Sequence, residues 1–166
     1  KKASNAVWAN CGFKGVLRAS PPLTHADVKA SWFDEKELLY FNLHGSDTEP
    51  YWFGQKGESF PAALSPQNVN EFSKGKSVAL TEACYGAMEM AKDKMTSVAL
   101  AFLSTGSLCL IGSTCIAYGA VAEPVSEADL IALHFFRNLC KGVSFGKALV
   151  NARAQLAAAA ISGQGY

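Results

Sequence analysis

The stretch that most constrains this chain is Ser77–Ala87, SVALTEACYGA. Its first five residues are small, apolar or β-branched, the composition of a short buried strand. The run stops at Glu82-Ala83-Cys84 and breaks at Tyr85-Gly86-Ala87. A strand that delivers a cysteine to its carboxyl end, followed at once by a glycine turn, puts a thiol at the rim of a sheet. In open α/β sheets that rim is where ligands bind. The alternative is a core thiol, since free cysteine is among the most buried residue types. A second segment favours the rim. Glu37–Leu43, ELLYFNL, is the strongest strand signal in the chain and ends at His44-Gly45-Ser46, again a reactive side chain followed by glycine.

Around these two segments, local signals predict the remaining elements. Val16–Ala19 reads as a short edge strand ended by Pro21-Pro22. Thr24 and Asp27 form a capping box for a helix over His25–Phe33, with Val28 and Trp32 on one face and His25 facing solvent. Tyr51-Trp52-Phe53-Gly54 and Ser59-Phe60-Pro61-Ala62 flank Gln55–Glu58 as a hairpin or extended lobe over the sheet. Ser65-Pro66, an N-cap followed by proline at the first helical position, opens a helix to about Phe72. A helix over Thr96–Leu103 and a strand over Ser107–Ile111 follow. Ser126 with Asp129, and Val125 with Leu130, mark the start of a helix that carries His134 as a structural residue and stops at Gly142. Ser144 caps a last helix running through Ala157–Ala160, whose glycine-rich end is expected to fray.

Strands alternating with helices predict an α/β fold, a mostly parallel sheet with helices on both faces. Three strands (37–43, 77–83, 107–111) are few for such a sheet. A preceding amino-terminal part or a partner chain is expected to complete it. The start at Lys1, with neither methionine nor a signal-like segment, reads as a processed product or an excised piece.

Composition narrows the function classes. With 166 residues, 49% hydrophobic and 17% charged, the chain has the make-up of one globular domain with a single core. A net charge of +1, with no basic run longer than Lys1-Lys2, disfavours nucleic-acid binding. No apolar stretch is long enough to span a bilayer. The five cysteines (Cys11, Cys84, Cys109, Cys115, Cys140) are odd in number and irregularly spaced, which argues against a disulfide framework and leans toward a reducing, cytoplasmic setting. Cys109 and Cys140 sit in apolar contexts and read as core. No C-x-x-C pair occurs, and His25, His44 and His134 are scattered, so no metal or other cofactor is called for.

The chemistry lies in the pairing of His44 with Cys84. A thiol attacks a carbonyl as thiolate and needs a proton donor for the leaving group and backbone N–H groups for the oxyanion. In a parallel sheet the two residues would end neighbouring strands and face one cleft. Gly45 would let substrate backbone approach closely.

Leu43-His44-Gly45-Ser46 followed by Glu82-Ala83-Cys84-Tyr85-Gly86 resembles the caspase-like (clan CD) cysteine peptidases, whose histidine precedes a glycine and whose cysteine follows an alanine. Glutamate in place of the caspase glutamine, and tyrosine after the cysteine, set the chain apart from caspases proper. The pieces Phe41–Gly45, Trp52-Phe53-Gly54-Gln55, Thr81–Ala87, Ala101-Phe102-Leu103, Ile111–Thr114 and Gly142-x-Ser144-x-Gly146-x-Ala148-Leu149 are more similar to gingipain- and clostripain-type bacterial members. The resemblance spans residues 24 to 156. It implies that residues 1–166 are a single caspase-like catalytic domain, the carboxyl-terminal part of a larger or processed chain. The implied fold is a three-layer sandwich lacking its amino-terminal strands. It further implies a cysteine endopeptidase acting on peptide or protein substrates, with Cys84 as nucleophile, His44 as proton donor and the Gly45 and Cys84 amides as oxyanion hole. In this clan the residue two before the cysteine lines the primary specificity pocket. That makes Glu82 a binder of Lys or Arg, and alternation along a strand puts residues 82 and 84 on one face. The alternative for Glu82 is a strand-end carboxylate paired with a nearby lysine. Ser113 and Thr114 are further candidates for that pocket, and Trp52 and Phe53 for the cleft wall. Some relatives use calcium, but no acidic loop here has its ligand spacing. The contrasting readings are a caspase-like binding or regulatory module gated by a partner, and an unrelated α/β enzyme with an acyl-transferring cysteine.

Overall fold

Residues 2–12, 15–119 and 127–158 are described by the computed structural model. They fall into two units, Leu17–Ile116 and a second formed by residues 1–16 with 117–166.

The Leu17–Ile116 unit is α/β. Its sheet consists of three parallel strands, β1 (Leu38–Phe41), β4 (Val78–Thr81) and β5 (Cys109–Ile111), in the order β1-β4-β5. A separate antiparallel pair, β2 (Trp52–Phe53) with β3 (Ala62–Leu64), forms the expected hairpin. β4 lies in the centre and is buried along its whole length, as its apolar, β-branched sequence requires. The helices are short: α2 (Pro66–Phe72) and α3 (Val98–Ser104), the latter capped by Ser97, whose side chain accepts from the Leu100 N–H.

The core of this unit gathers one face of the sheet against both helices. Leu39, Phe41, Leu43 and Leu110 pack with Val69 of α2, with Val98, Ala101 and Phe102 of α3, and with Trp52 and Leu64 of the hairpin. Phe102 is fully buried at the centre, with the rings of Phe41, Phe33 and Trp52 at 5.6, 6.0 and 6.3 Å. Strand alternation then assigns Tyr40 to the opposite face, away from these helices, and the side-chain hydrogen bonds of Tyr40 and Asn42 to Glu82 place those residues there too.

Ser65 shows how tightly sequence fixes a boundary. It is 3% exposed, its Oγ accepts from the Asn68 N–H at 3.1 Å, and the Asn68 Oδ1 accepts in return from the Ser65 N–H at 3.0 Å and its hydroxyl at 2.8 Å. Pro66 contributes no donor at the first helical position. Ser65→Ala is expected to cost about 1–2 kcal/mol and to lower Tm by a few degrees in a thermal melt.

Three local expectations give way to tertiary demands. His25–Phe33 forms two 3-10 turns, His25–Asp27 and Ala30–Trp32, instead of one helix, although the Thr24–Asp27 capping box is present. Val28 and Lys29 between them are extended, which turns Val28 and Phe33 into the core and leaves Trp32 half-buried beneath the Arg18 guanidinium at 4.5 Å. Val16–Ala19 forms no strand. Its residues are exposed, and the chain attaches instead at Ser20, whose carbonyl accepts from the Gln55 N–H. The hairpin does not lie over the sheet alone: it extends from the end of β1, where His44 and Phe53 exchange two backbone hydrogen bonds of 2.8 Å.

The second unit is helical, with α1 (Lys2–Cys11), α4 (Ala128–Leu139) and α5 (Phe145–Ala158). The sequence carried no clear signal for α1, which ends where Gly12 takes φ +65°. α4 buries Ala132, Leu133, Phe135 and Phe136, and α5 buries the i, i+4, i+8 set Ala148, Ala152 and Leu156. The N-cap of α4 is Glu127, with φ +56° and no side-chain cap bond, while Val125 and Ser126 lie outside the described residues, as does the sequence beyond Ala158. Gly142 follows α4 with φ +76° as expected. His134 is half-buried, and burial, with a smaller contribution from Arg137, holds its imidazole below the ordinary histidine range. Cys140 is not a core thiol: it is exposed at the end of α4, its Sγ donating to the Cys11 carbonyl at 3.7 Å.

Candidate active site

The register of the sheet brings the two sequence motifs level. β1 pairs with β4 at a constant offset, Leu38 with Val78 through Phe41 with Thr81, and this is also the offset that separates His44 from Cys84 in the sequence. The Glu82 N–H donates to the Phe41 carbonyl at 2.9 Å, which continues the pairing past the strand ends. At Gly45 the chains touch. A Cβ there would collide with the Cys84 carbonyl oxygen and lie 3.1 Å from the Ala83 methyl. The glycine is therefore required by the protein's own backbone, where the sequence had assigned its space to a substrate. Among the described residues, the Gly45 N–H donates no hydrogen bond.

Cys84 sits in a tight turn. The Gly86 N–H closes it onto the Ala83 carbonyl at 2.9 Å, and Tyr85 at the third position takes φ +55°, as a type II turn demands of that position. A bulky residue there carries strain of about 1–3 kcal/mol, held in place by neighbours. The neighbours are on the segment after β5: the Tyr85 N–H donates to the Cys115 carbonyl at 2.8 Å and the Ala87 N–H to the Ser113 carbonyl at 2.9 Å. The strained backbone thus adjoins a half-buried cysteine that is in no disulfide. The other thiols differ. Burial, assisted by Cys140, pushes the Cys11 thiol up to about 11, and burial also raises that of Cys109. Cys115 is exposed, with its Sγ 3.5 Å from the Ser113 hydroxyl.

His44 is exposed, and its ring is held on two sides. Nε2 lies 2.8 Å from the Gln55 Oε1, and the Phe60 ring stands edge-on at 5.2 Å. In the sequence Gln55 stood in the hairpin and in one of the resembling pieces without a role, because its partner depends on how the hairpin folds back.

Glu82 is half-buried, with its carboxylate oriented from the neighbouring strand. The Tyr40 hydroxyl donates to Oε1 at 2.6 Å and the Asn42 amide to Oε2 at 2.8 Å. Tyr40 and Asn42 are the two residues sequence reasoning missed here. Their spacing of two on β1 places both on the face that carries Glu82, a signal that becomes readable once the β1–β4 register is known. Ser113 is half-buried and joins this region through its carbonyl, whereas Thr114 is exposed. Trp52 is 3% exposed, with Phe41 at 5.2 Å, so its ring belongs to the core while the residue also borders the groove beside the strand ends. Phe53 is half-buried against Tyr51. A shallow groove beside the two strand ends has Ser46, Tyr51, Trp52, Tyr85, Met88 and Lys92 among its lining residues.

Comparison with known proteins returned no matching family model, no similar curated protein and no similar solved structure.

Proposed function

We propose that this chain is a cysteine endopeptidase of caspase-like type that works through a His44–Cys84 dyad and cleaves after Lys or Arg. The observation that carries the reading is the parallel β1–β4 pairing, whose strands lead to the His44-Gly45 and Cys84 segments, with Gly45 packed against the Cys84 backbone. In this reading the Cys84 thiolate adds to the scissile carbonyl carbon, and the Gly45 and Cys84 amides hold the oxyanion. The C–N bond breaks as His44 passes a proton to the departing amine, leaving an acyl-thioester. Water then attacks the thioester and yields its proton to His44, releasing the acid and restoring the thiolate. Glu82, oriented by Tyr40 and Asn42, receives the basic side chain, and Ser113 belongs to the same pocket. The parallel sheet with its short helices is the part of a three-layer caspase-like sandwich that this reading builds on.

The test is turnover of fluorogenic peptides that differ only in the residue before the cut. Arg and Lys peptides are expected to be hydrolysed well ahead of Asp and Leu peptides. Glu82→Gln should reduce that preference about tenfold or more, the equivalent of losing one charge-assisted contact of roughly 1.5–3 kcal/mol. An unchanged preference would remove Glu82 from the pocket. Covalent labelling of Cys84 without turnover of any peptide would instead favour a gated or regulatory module.

A further inference from the structure

The side chain bonded to the candidate histidine bears on which of its nitrogens carries the proton. Gln55 is exposed on the hairpin, yet both ends of its side chain and its backbone are anchored. Its Nε2 donates to the Gly57 carbonyl at 3.2 Å. Its backbone N–H donates to the Ser20 carbonyl at 3.2 Å, and the Gly54 N–H donates to the Pro61 carbonyl at 2.9 Å. Gly54 has no side chain because the Ser20 carbonyl and hydroxyl occupy that space. On the other side of the contact, His44 is fixed by its paired hydrogen bonds to Phe53.

These anchors remove an ambiguity. An amide nitrogen is a donor only, so the bond to Gly57 commits the Gln55 NH₂ to that carbonyl and turns the amide oxygen toward the imidazole. An oxygen 2.8 Å from Nε2 can only accept, so Nε2 must carry the hydrogen. In the neutral ring, Nδ1 is then the free base.

We infer that Gln55 is a positioning residue that holds His44 as the Nε2–H tautomer and leaves Nδ1 as the atom that exchanges protons in the reaction. The catalytic consequence rests on the proposed peptidase function, but the tautomer does not. Gln55 orients the ring without adding a charge of its own. The ionisable side chains carried by the elements around the ring are Asp47, Glu49 and Tyr51 on its own loop, Lys56 and Glu58 on the hairpin, and Glu82, Cys84 and Tyr85 beyond β4. All are retained in the variants below, so differences between variants report on Gln55.

The experiment uses the full chain with ¹⁵N-labelled histidine. Long-range ¹H–¹⁵N correlation spectra are expected to give the Nε2–H pattern for neutral His44 in the wild type and a mixture of tautomers in Gln55→Leu. Gln55→Glu should raise the His44 titration midpoint by about one unit or more, because an opposite charge then stands beside the ring. In the peptide assay, Gln55→Leu should lower kcat about 10- to 100-fold with KM within twofold, and Gln55→Glu should move the alkaline limb of the pH profile upward. An Nδ1–H pattern in the wild type overturns the inference, as does a Gln55→Leu variant with unchanged tautomer and kcat. Should the wild type hydrolyse no peptide while the spectra come out as expected, the peptidase reading fails and the positioning of His44 by Gln55 stands.

Discussion

Cys84→Ala is expected to abolish peptide hydrolysis, by on the order of 10⁴-fold or more, while leaving the fold in place. The size follows from covalent catalysis. Without the sulfur there is no thioester, and what remains is binding and oxyanion stabilisation acting on a water molecule. The fold should survive because Cys84 is only half-buried and the loss is a single sulfur in a turn closed by backbone hydrogen bonds, Gly86 to Ala83 and Tyr85 to Cys115. A thermal melt within a degree or two of the wild type would separate loss of chemistry from loss of structure. The remaining thiols make the labelling control informative. Cys11 and Cys109 are held in the unreactive thiol form by burial, so a general alkylating agent should mark the exposed Cys115 and Cys140, whereas a substrate-like affinity label ending in Lys or Arg should mark Cys84. Full turnover in Cys84→Ala would overturn the nucleophile assignment. Loss of activity in Cys115→Ala, combined with turnover in Cys84→Ala, would move it to the β5 side of the turn.

How much of this could be read from the sequence depended on how local the deciding interaction was. The strand before His44 and the strand before Cys84 were legible because a continuous apolar run has few other fates. The start of α2 was legible because Ser65, Pro66 and Asn68 settle it among themselves. Thr24 and Asp27 were legible as a capping box and misleading as a helix, since nothing in those residues says that Val28 and Phe33 must both reach the same core. The site divides along the same line. His44 and Cys84 stood out by residue type and by the glycines nearby. Tyr40, Asn42 and Gln55 act through partners 42, 40 and 11 positions away, and those partners become neighbours only once register and hairpin are formed. Trp52 depends on the fold in the same way: its packing on Phe41 and Phe102, and its place at the border of the groove, are both set by partners distant in sequence.

Gly45 offers the sharpest contrast between a local and a non-local reading, and its replacement carries the second large effect. The sequence reading keeps glycine there so that a substrate backbone can approach, in which case Gly45→Ala raises KM and leaves stability alone. The structure gives that space to the Cys84 carbonyl oxygen, with the Ala83 methyl 3.1 Å from the added carbon. Neither obstacle can rotate away, because one is backbone and the other is a methyl fixed to a fully buried residue. Accommodating alanine therefore requires the ends of β1 and β4 to separate. That displacement loads the Glu82 to Phe41 hydrogen bond at 2.9 Å and the paired bonds between His44 and Phe53. Overpacking of this kind costs about 1–3 kcal/mol and more where the backbone is the obstacle, so Gly45→Ala should be destabilised by about 3 kcal/mol. It should also lose most of its peptide turnover, since the same movement draws His44 away from Cys84. Urea unfolding distinguishes the two accounts: a markedly lower midpoint at an unchanged m value supports contact between the strand ends, and a wild-type midpoint with a raised KM restores the substrate explanation.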